Sequence, residues 1–247
     1  MADTETTHDA LIGGAVSLEQ PTKGFRAGTD SVLLGASVAT EKMSGKALEF
    51  GCGPGGALFV AAHHLKSWSF TGVELDHDIA ALAKENAKRN RCDDRVDIEV
   101  GELPKAVSKR ENAFDLVFSN PPFFDPGTIV SPGEGKSDAY IQRTGLDDWL
   151  KGMLFAAKPR APIVLIHRAT ELAKILTRLD KQAGDISVLP IRPYPEAAAN
   201  RVIVRARKGL RSGSLSLLSG LDIYEAKGGA HTERAKAILM GAPLEWR

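Results

Sequence analysis

Short apolar runs of strand length alternate along the chain with longer stretches whose apolar residues recur at helical spacing. Glycine, proline or acidic residues bound most of the short runs, as is typical of buried strands. Seven runs of this kind are found, at residues 46–50, 69–73, 95–100, 114–118, 162–166, 186–191 and 201–207. Helices are predicted at residues 31–38, 57–65, 78–90, 146–157, 171–179 and 232–240. This alternation predicts an α/β fold with a doubly wound, mostly parallel seven-stranded sheet and helices on both faces.

The other segments are expected to complete a single domain over residues 11–247. Residues 1–10 are polar and acidic, which predicts a flexible tail. A short strand is expected over residues 11–18 and one or two more within 215–224, and Thr29 or Asp30 is expected to cap the first helix. Residues 125–145 are rich in Gly, Pro and Ser without periodicity, which indicates a functional loop or a disordered segment.

The composition excludes several classes of protein. The 247 residues are 43% hydrophobic and 26% charged, an ordinary globular mixture. The net charge of +1 excludes a histone-like basic protein, so any nucleic-acid surface must be local. Two cysteines without a pairing pattern favour a reduced, cytoplasmic protein. We expect no signal peptide, no membrane span and, because no metal-ligand spacing is present, no metal.

A stiff turn follows the fourth predicted strand at Ser119-Asn120-Pro121-Pro122-Phe123-Phe124. Two prolines cannot continue a central strand, and each residue before a proline is held extended. The turn thus places an amide side chain beside an aromatic ring, an arrangement that could hold a flat polar group such as a nucleobase. A purely structural proline turn with two core phenylalanines is the alternative.

A glycine-rich loop, Gly51-Cys52-Gly53-Pro54-Gly55-Gly56, connects the first predicted strand of the sheet to a helix. Together with Glu74 at the end of the next strand, it predicts a site for an adenosine-type cofactor, with the carboxylate on the ribose hydroxyls. This pattern fits NAD and S-adenosylmethionine equally. Glu49 favours the sulfonium cofactor because a carboxylate attracts a cation and repels a pyrophosphate, although it could instead bind nearby backbone N–H groups. Glu102 lies where an adenine amine is expected, or is a solvated loop acid.

These motifs resemble those of class I S-adenosylmethionine-dependent methyltransferases. Asn120-Pro121-Pro122-Phe123 is similar to the N/D/S-P-P-Y/F/W motif of enzymes that methylate adenine N6, guanine N2 or a glutamine amide. An upstream stretch, Gln20 followed by Gly24-Phe25-Arg26-Ala27-Gly28-Thr29-Asp30-Ser31-Val32-Leu33-Leu34, resembles the signature of bacterial tRNA adenine-N6 methyltransferases of the valine-tRNA type. Two departures are Glu102 in place of the usual Asp, and Phe123 in place of the Tyr common in glutamine-modifying relatives.

The resemblance implies a Rossmann-like methyltransferase fold, S-adenosylmethionine as cofactor and RNA, most specifically tRNA near its anticodon, as substrate. Asn120 and Pro121 would accept hydrogen bonds from the adenine amine, and Phe123 would stack on the base. The predicted cofactor-binding residues are Glu49, Gly51, Gly53, Glu74, Glu102 and Asn120, with Arg26, Thr29 and Asp30 at the cofactor's amino-acid end. For Arg26 and Asp30, an ordinary helix cap and a surface ion pair are the alternative.

Basic residues are the remaining candidates for RNA contact. Arg201, Arg205 and Arg207 alternate with apolar residues and would share one strand face, and Arg143 lies in the long loop. The substrate-binding candidates are therefore Pro122, Phe123, Arg143, Arg205 and Arg207, although a solvated strand face would show the same pattern. Four functional alternatives stay open: a protein glutamine-N5 methyltransferase, an rRNA adenine or guanine methyltransferase, a nicotinamide oxidoreductase, and a non-catalytic RNA-binding relative. The oligomeric state is open as well.

Overall fold

The structure is a computed structural model that describes residues 5–24, 26–38, 43–122, 145–210 and 214–246. Its strands are β1 (Thr6–Leu11), β2 (Val16–Pro21), β3 (Gly45–Phe50), β4 (Trp68–Glu74), β5 (Val96–Val100), β6 (Leu116–Ser119), β7 (Pro162–Arg168), β8 (Ala183–Arg192), β9 (Arg201–Lys208), β10 (Leu215–Leu217) and β11 (Leu221–Asp222). Its helices are α1 (Thr29–Ser37), α2 (Gly56–His64), α3 (His77–Arg89), α4 (Leu146–Ala156), α5 (Leu172–Leu179) and α6 (Glu233–Leu239).

The central sheet has the strand order β10-β8-β9-β7-β6-β3-β4-β5, and β11 also pairs with β8. Strands β3 to β7 are parallel, whereas β9 runs antiparallel to both of its neighbours, β7 and β8. The predicted doubly wound α/β fold is confirmed, and the seven predicted strands are β3 to β9. The short strands β10 and β11 extend the sheet beyond seven. Since the strand order reverses beside β3, ligands are expected at the carboxyl ends of β3 and β6.

Two hydrophobic layers enclose the sheet. The apolar residues of α1, α2, α3 and α6 pack with one face of the strands, and those of α4 and α5 pack with the other. Neighbouring residues of one strand alternate between the layers, as in β3, where Ala47 belongs to the first layer and Leu48 to the second. The sheet is thus buried on both faces, which explains why its strands are nearly continuous apolar runs.

An N-terminal hairpin includes the second half of the predicted flexible tail. Strands β1 and β2 pair antiparallel from Thr6 opposite Pro21 to Leu11 opposite Val16. The tail prediction is therefore wrong for residues 6–10. The expected single strand over residues 11–18 is also wrong, because residues 12–15 turn the chain between the two strands. Strand β1 begins with four consecutive polar residues, Thr6 to Asp9, and none of its residues is fully buried, so the sequence alone could not distinguish it from a tail.

Two asparagines of α3 fasten this hairpin to the domain. The Asn86 side chain accepts a hydrogen bond from the backbone N–H of Glu19 (2.9 Å) and donates to its carbonyl (2.8 Å). One turn later, Asn90 makes the same pair of bonds with Ser17 (2.9 and 2.7 Å). The spacing of four residues on a helix matches two residues on a strand, because both place side chains on one face. On this side of β2, each amide thereby makes the two hydrogen bonds that a neighbouring strand would make.

The two ends of helix α1 differ in their hydrogen bonding. Its N-cap is Gly28 without a side-chain hydrogen bond, so the prediction that Thr29 or Asp30 caps it is wrong. At the other end, the backbone N–H of Leu244 donates to the carbonyl of Ala36 (3.0 Å), and the indole N–H of Trp246 donates to that of Ser37 (2.8 Å). The C-terminal segment therefore supplies donors to two carbonyls at the end of α1.

Within the described ranges, no helix has the length and apolarity needed to cross a bilayer. Nor do these ranges contain a group of three His, Cys, Asp or Glu side chains arranged to hold a metal ion. The predicted loop over residues 125–145 lies outside the described residues except for Gly145.

Candidate active site

The glycine loop turns the chain out of β3 and into α2 at the predicted position. The backbone N–H groups of Gly51 and Cys52 both donate to the carbonyl of Val73 on β4 (2.9 and 3.1 Å), which fixes the start of the loop. Gly51 has a φ of +69°, and a Cβ atom there would lie 3.1 Å from the ring of Trp149. Glycine is needed at this position because a side chain would strain the backbone and meet the indole.

Glu74 supports the same loop from the end of β4. One carboxyl oxygen accepts a hydrogen bond from the N–H of Gly53 (2.8 Å), and the other accepts from the N–H of Asp76 (2.9 Å). Burial raises the pKa of the Glu74 carboxyl, and these backbone donors partly oppose the shift. Each carboxylate oxygen accepts more than one hydrogen bond, so this geometry is compatible with ribose hydroxyls as further donors.

Glu49 is a buried acid beneath the loop, only 2% exposed. Its Oε2 atom is buried and lacks a hydrogen-bond partner among the described residues. The pKa of its carboxyl is raised well above the ordinary value because burial penalises the charge and Glu74 adds a second negative charge, although the N–H of Leu58 counteracts this. A buried acceptor without a partner is costly. The site therefore fits a ligand that brings a positively charged donor, such as the ammonium group of S-adenosylmethionine.

The asparagine-proline turn starts directly beside the glycine loop. Ser119 is the register partner of Phe50 in the parallel pair β3–β6, so Asn120 and Gly51 are the next residues on adjacent strands. Strands in a sheet are about 4.8 Å apart, which brings the turn and the loop together at the carboxyl edge. Pro121 is buried, whereas Asn120 and Pro122 are partly exposed. Phe123 and Phe124 lie outside the described residues, so the stacking role of Phe123 stays a prediction.

A hydrogen-bond chain that the sequence did not reveal runs beneath this junction. The Ser119 hydroxyl donates to the carbonyl of Phe50 (2.7 Å) and accepts from the indole N–H of Trp149 on α4 (3.0 Å). The rings of Trp149 and Phe50 also meet edge to face, with centroids 5.8 Å apart. The available signal was weak: Trp149 is one of three tryptophans, and a buried indole N–H usually finds a partner.

Glu102 is the least constrained of the predicted cofactor residues. Its side chain is 44% exposed and lies 3.9 Å from the ammonium group of Lys105. It follows β5, and the N–H of Gly101 is held by the carbonyl of Glu74 (2.8 Å), so it is at the same edge as the glycine loop. A contact with adenine stays a prediction for this residue.

The upstream signature forms a connected polar cluster rather than an isolated loop. The guanidinium of Arg26 donates to Asp9 of β1 (2.8 Å) and to the carbonyl of Pro21 (2.7 Å). Gln20 is buried and bonds both Asp9 (2.9 Å) and the N–H of Ala27 (2.8 Å). These bonds lower the pKa of the Asp9 carboxyl. Arg26 is therefore engaged with the hairpin, in agreement with the ion-pair alternative.

The other two residues of this signature lie at the start of α1. Asp30 forms an ion pair with Arg201 of β9 (2.9 Å), again as the alternative expected, and Thr29 is exposed. Ala27 brings the segment close to the cofactor loop, because a Cβ atom on Gly56 would lie 2.3 Å from the Ala27 methyl. Cofactor contacts by Arg26, Thr29 and Asp30 stay predictions.

The arginines of β9 share one face of the strand as predicted, but they do not gather at the site. Arg201 lies opposite Arg168, at the carboxyl end of β7, whereas Arg207 lies opposite Pro162 at its beginning. Six residue steps of about 3.3 Å separate the two ends by roughly 20 Å. Arg207 pairs with Asp185 (3.1 Å) at the edge remote from the glycine loop.

Arg205 is also covered, since its guanidinium stacks 4.7 Å from the ring centre of Trp246. RNA contacts by Arg205 and Arg207 stay predictions, at positions that antiparallel β9 carries away from the carboxyl edge. Arg143 lies outside the described residues.

Comparison with known proteins agrees with this geometry. Residues 47–127, from β3 to just after the asparagine-proline turn, match a family model described as a methyltransferase domain. These residues are therefore similar to a methyltransferase domain. The resemblance inferred from the glycine loop, the acidic strand ends and the asparagine-proline motif is therefore confirmed at that level.

Curated relatives of the methyltransferase domain are tRNA1(Val) (adenine(37)-N6)-methyltransferases. The relative from Yersinia enterocolitica is 38% identical over 103 residues, which cover 41% of each chain. That from Haemophilus influenzae is 30% identical over 135 residues, 54% of this chain and 57% of the relative. The matches span about half the length of these relatives.

A solved structure shows that the fold extends beyond the domain match. The structure of a predicted O-methyltransferase from Agrobacterium tumefaciens superposes with a TM-score of 0.73 at 21% identity, covering 88% of this chain and 99% of the other. The whole sheet therefore has the fold of that structure.

Proposed function

We propose that the protein transfers a methyl group from S-adenosylmethionine to N6 of an adenine in RNA, most specifically in tRNA near the anticodon. The observation that carries this proposal is that the glycine loop and the asparagine-proline turn lie side by side where the strand order reverses. There the buried Glu49, whose Oε2 lacks a hydrogen-bond partner among the described residues, and its glycine loop lie next to the Asn120 turn. The named activity of the curated relatives supports adenine N6 and tRNA.

The residues of the glycine loop and the acids around it would bind the cofactor, which supplies an electrophilic methyl group. Glu49 would hold the cationic amino-acid end, Glu74 the ribose and Glu102 the adenine. Gly51 and Gly53 leave room for the ligand to approach the backbone. This arrangement would orient the sulfonium toward the end of β6, where Asn120 lies.

Asn120 and Pro121 would prepare the adenine amine for attack. The amide oxygen of Asn120 and the carbonyl of Pro121 each accept a hydrogen bond from the amine, which directs its lone pair toward the methyl group. The same two acceptors stabilise the positive charge that grows on nitrogen during transfer. The proton is lost to solvent after transfer, so this scheme needs neither a general base nor a metal. The reaction would take place in the cytoplasm, where tRNA is found.

The direct test combines a methyl-transfer assay with nucleoside mass spectrometry of total tRNA. N6-methyladenosine is the expected product, and a modified guanine or a methylated protein glutamine would refute the assignment of the base. Calorimetry with S-adenosylhomocysteine and with NAD tests the cofactor separately. Tight binding of NAD without binding of S-adenosylhomocysteine would overturn the methyltransferase proposal as a whole.

Substitution of Asn120 tests the amine-binding role. Asn120→Ala removes an acceptor made for the transition state, so we expect kcat to fall by about 100-fold or more while S-adenosylhomocysteine binding is retained. Asn120→Asp keeps an acceptor at the same position and should retain more activity than the alanine variant. Wild-type turnover in Asn120→Ala would remove this residue from the mechanism.

A further inference from the structure

The hydroxyl of Ser119 fastens the start of the proline turn to β3. Pro121 and Pro122 have no N–H to continue the ladder between β6 and β3. At the end of that ladder, the Ser119 hydroxyl donates to the carbonyl of Phe50, the last residue of β3 (2.7 Å). Ser119 is completely buried, so water cannot take over this bond. The start of the turn is therefore fixed to the strand that leads into the glycine loop.

Trp149 contacts both sides of this junction. Its indole N–H donates to the Ser119 hydroxyl (3.0 Å), which fixes the direction in which that hydroxyl donates. Its ring lies against Gly51, close enough that a Cβ atom there would be 3.1 Å away. The side chain is well buried, at 5% exposure. One residue of α4 thus touches the cofactor loop through its ring and the amine-binding turn through its N–H.

We infer that Trp149 and Ser119 are positioning residues that set the Asn120 turn at a fixed distance from the cofactor loop during methyl transfer. This inference rests on the proposed function. In-line transfer requires a fixed distance and direction between the sulfonium and the groups that accept hydrogen bonds from the adenine amine. A misplacement of about 1 Å can lower the rate about 100-fold. A chain of two hydrogen bonds from α4 through β6 to β3 supplies such a constraint without touching substrate.

A positioning role and a purely structural role of Trp149 predict different kinetics. A residue that only stabilises the fold lowers the melting temperature and leaves kcat of the folded enzyme unchanged. A positioning residue lowers kcat at saturating cofactor and tRNA, where binding no longer limits the rate. Trp149→Phe separates the two when kcat is measured on the folded variant, because it removes the N–H donor together with the indole carbons Cζ2 and Cη2 that lie nearest Gly51.

The test compares Trp149→Phe with Trp246→Phe as a matched control. Trp246 also donates its indole N–H to a carbonyl, that of Ser37 (2.8 Å), but on α1 and away from the junction. We expect kcat of Trp149→Phe to fall about 10- to 100-fold, with the dissociation constant of S-adenosylhomocysteine changed less than about threefold. The Trp246→Phe variant should keep the wild-type kcat.

A second variant provides an independent test of the hydrogen bonds that link Trp149, Ser119 and Phe50. Ser119→Ala removes both hydrogen bonds, so it should lower kcat at least as much as Trp149→Phe, and the double variant should be no slower than Ser119→Ala alone. Equal kcat values for Trp149→Phe and Trp246→Phe, or additive losses in the double variant, would overturn the inference. A wild-type protein that methylates no RNA would instead refute the proposed function.

Discussion

Asn86 offers a sharp test of how the cofactor loop is held. Besides its two bonds to Glu19, its amide donates to the carbonyl of Pro54 in the middle of the glycine loop (3.0 Å). Asn90 repeats the pairing one turn later with Ser17, but its third bond goes to the carbonyl of Asn86 within its own helix. The two residues thus perform the same service for the hairpin, and only Asn86 reaches the loop.

The expected cost of Asn86→Ala follows from the three bonds that it removes. Asn86 is fully buried, so three backbone groups lose their partner where water has little access. A buried group left unsatisfied costs about 1–3 kcal/mol, and partial relaxation makes a total of about 3 kcal/mol a reasonable expectation. For a chain of this size, 1 kcal/mol corresponds to roughly 2–4 °C, so the melting temperature should fall by about 6–12 °C. Asn90 is partly exposed, and Asn90→Ala should cost about half as much.

Cofactor affinity distinguishes the two variants more clearly than stability does. The assay is a calorimetric titration with S-adenosylhomocysteine, well below the lower of the two melting temperatures, with thermal unfolding followed in parallel. Asn86→Ala should weaken binding about tenfold, because the loop loses the amide that holds the carbonyl of Pro54. This corresponds to about 1.4 kcal/mol of binding free energy. Asn90→Ala should bind as the wild type does. Equal affinities of the two variants would refute the view that Asn86 positions the loop.

Two further predictions concern charge and packing at the same loop. The raised pKa of Glu49 means that the free protein binds a proton there between the ordinary carboxyl pKa and the raised one, whereas a cationic cofactor favours the carboxylate. Cofactor affinity should therefore rise with pH through that window. Glu49→Gln should bind the cofactor more weakly and without this pH dependence. Calorimetry that gave the same dependence of affinity on pH for both proteins would contradict this. Over the same range the stability of the free protein should fall as pH rises, because the folded state binds more protons than the unfolded one. Gly56→Ala places a methyl group 2.3 Å from that of Ala27, so it should cost about 1–3 kcal/mol in chemical denaturation, and an unchanged midpoint would show that the two segments separate freely.

The sheet and the positions of its motifs were predictable because they depend on local patterns. A strand buried on both faces must be apolar throughout, and glycines or prolines must follow it where the chain turns. These requirements fixed the glycine loop after β3 and the turn after β6, and register then placed Phe50 beside Ser119. Glu49 and Glu74 could be assigned to the site because carboxyl ends of parallel strands share one edge.

What could not be predicted depends on partners far apart in the sequence. The direction of β9 decides whether an arginine lies at the site or about 20 Å away, and strand direction is not encoded in the alternation of Arg205 and Arg207 with apolar residues. Trp149 and Asn86 act through side-chain hydrogen bonds to residues 30 and 32 positions away, where spacing gives no signal. Strand β1 looked like a tail because its outward residues are polar and its partner was not recognised.

The closure of α1 by the C-terminal segment has a consequence for the order of events during synthesis. The bond from Trp246 to Ser37 spans 209 residues, and the bond from Leu244 to Ala36 is nearly as long. A ribosome therefore delivers these donors only after almost the entire described chain, including the glycine loop and the asparagine-proline turn, has been made. The carbonyls at the end of α1 therefore receive these donors only after all the residues between them have been translated.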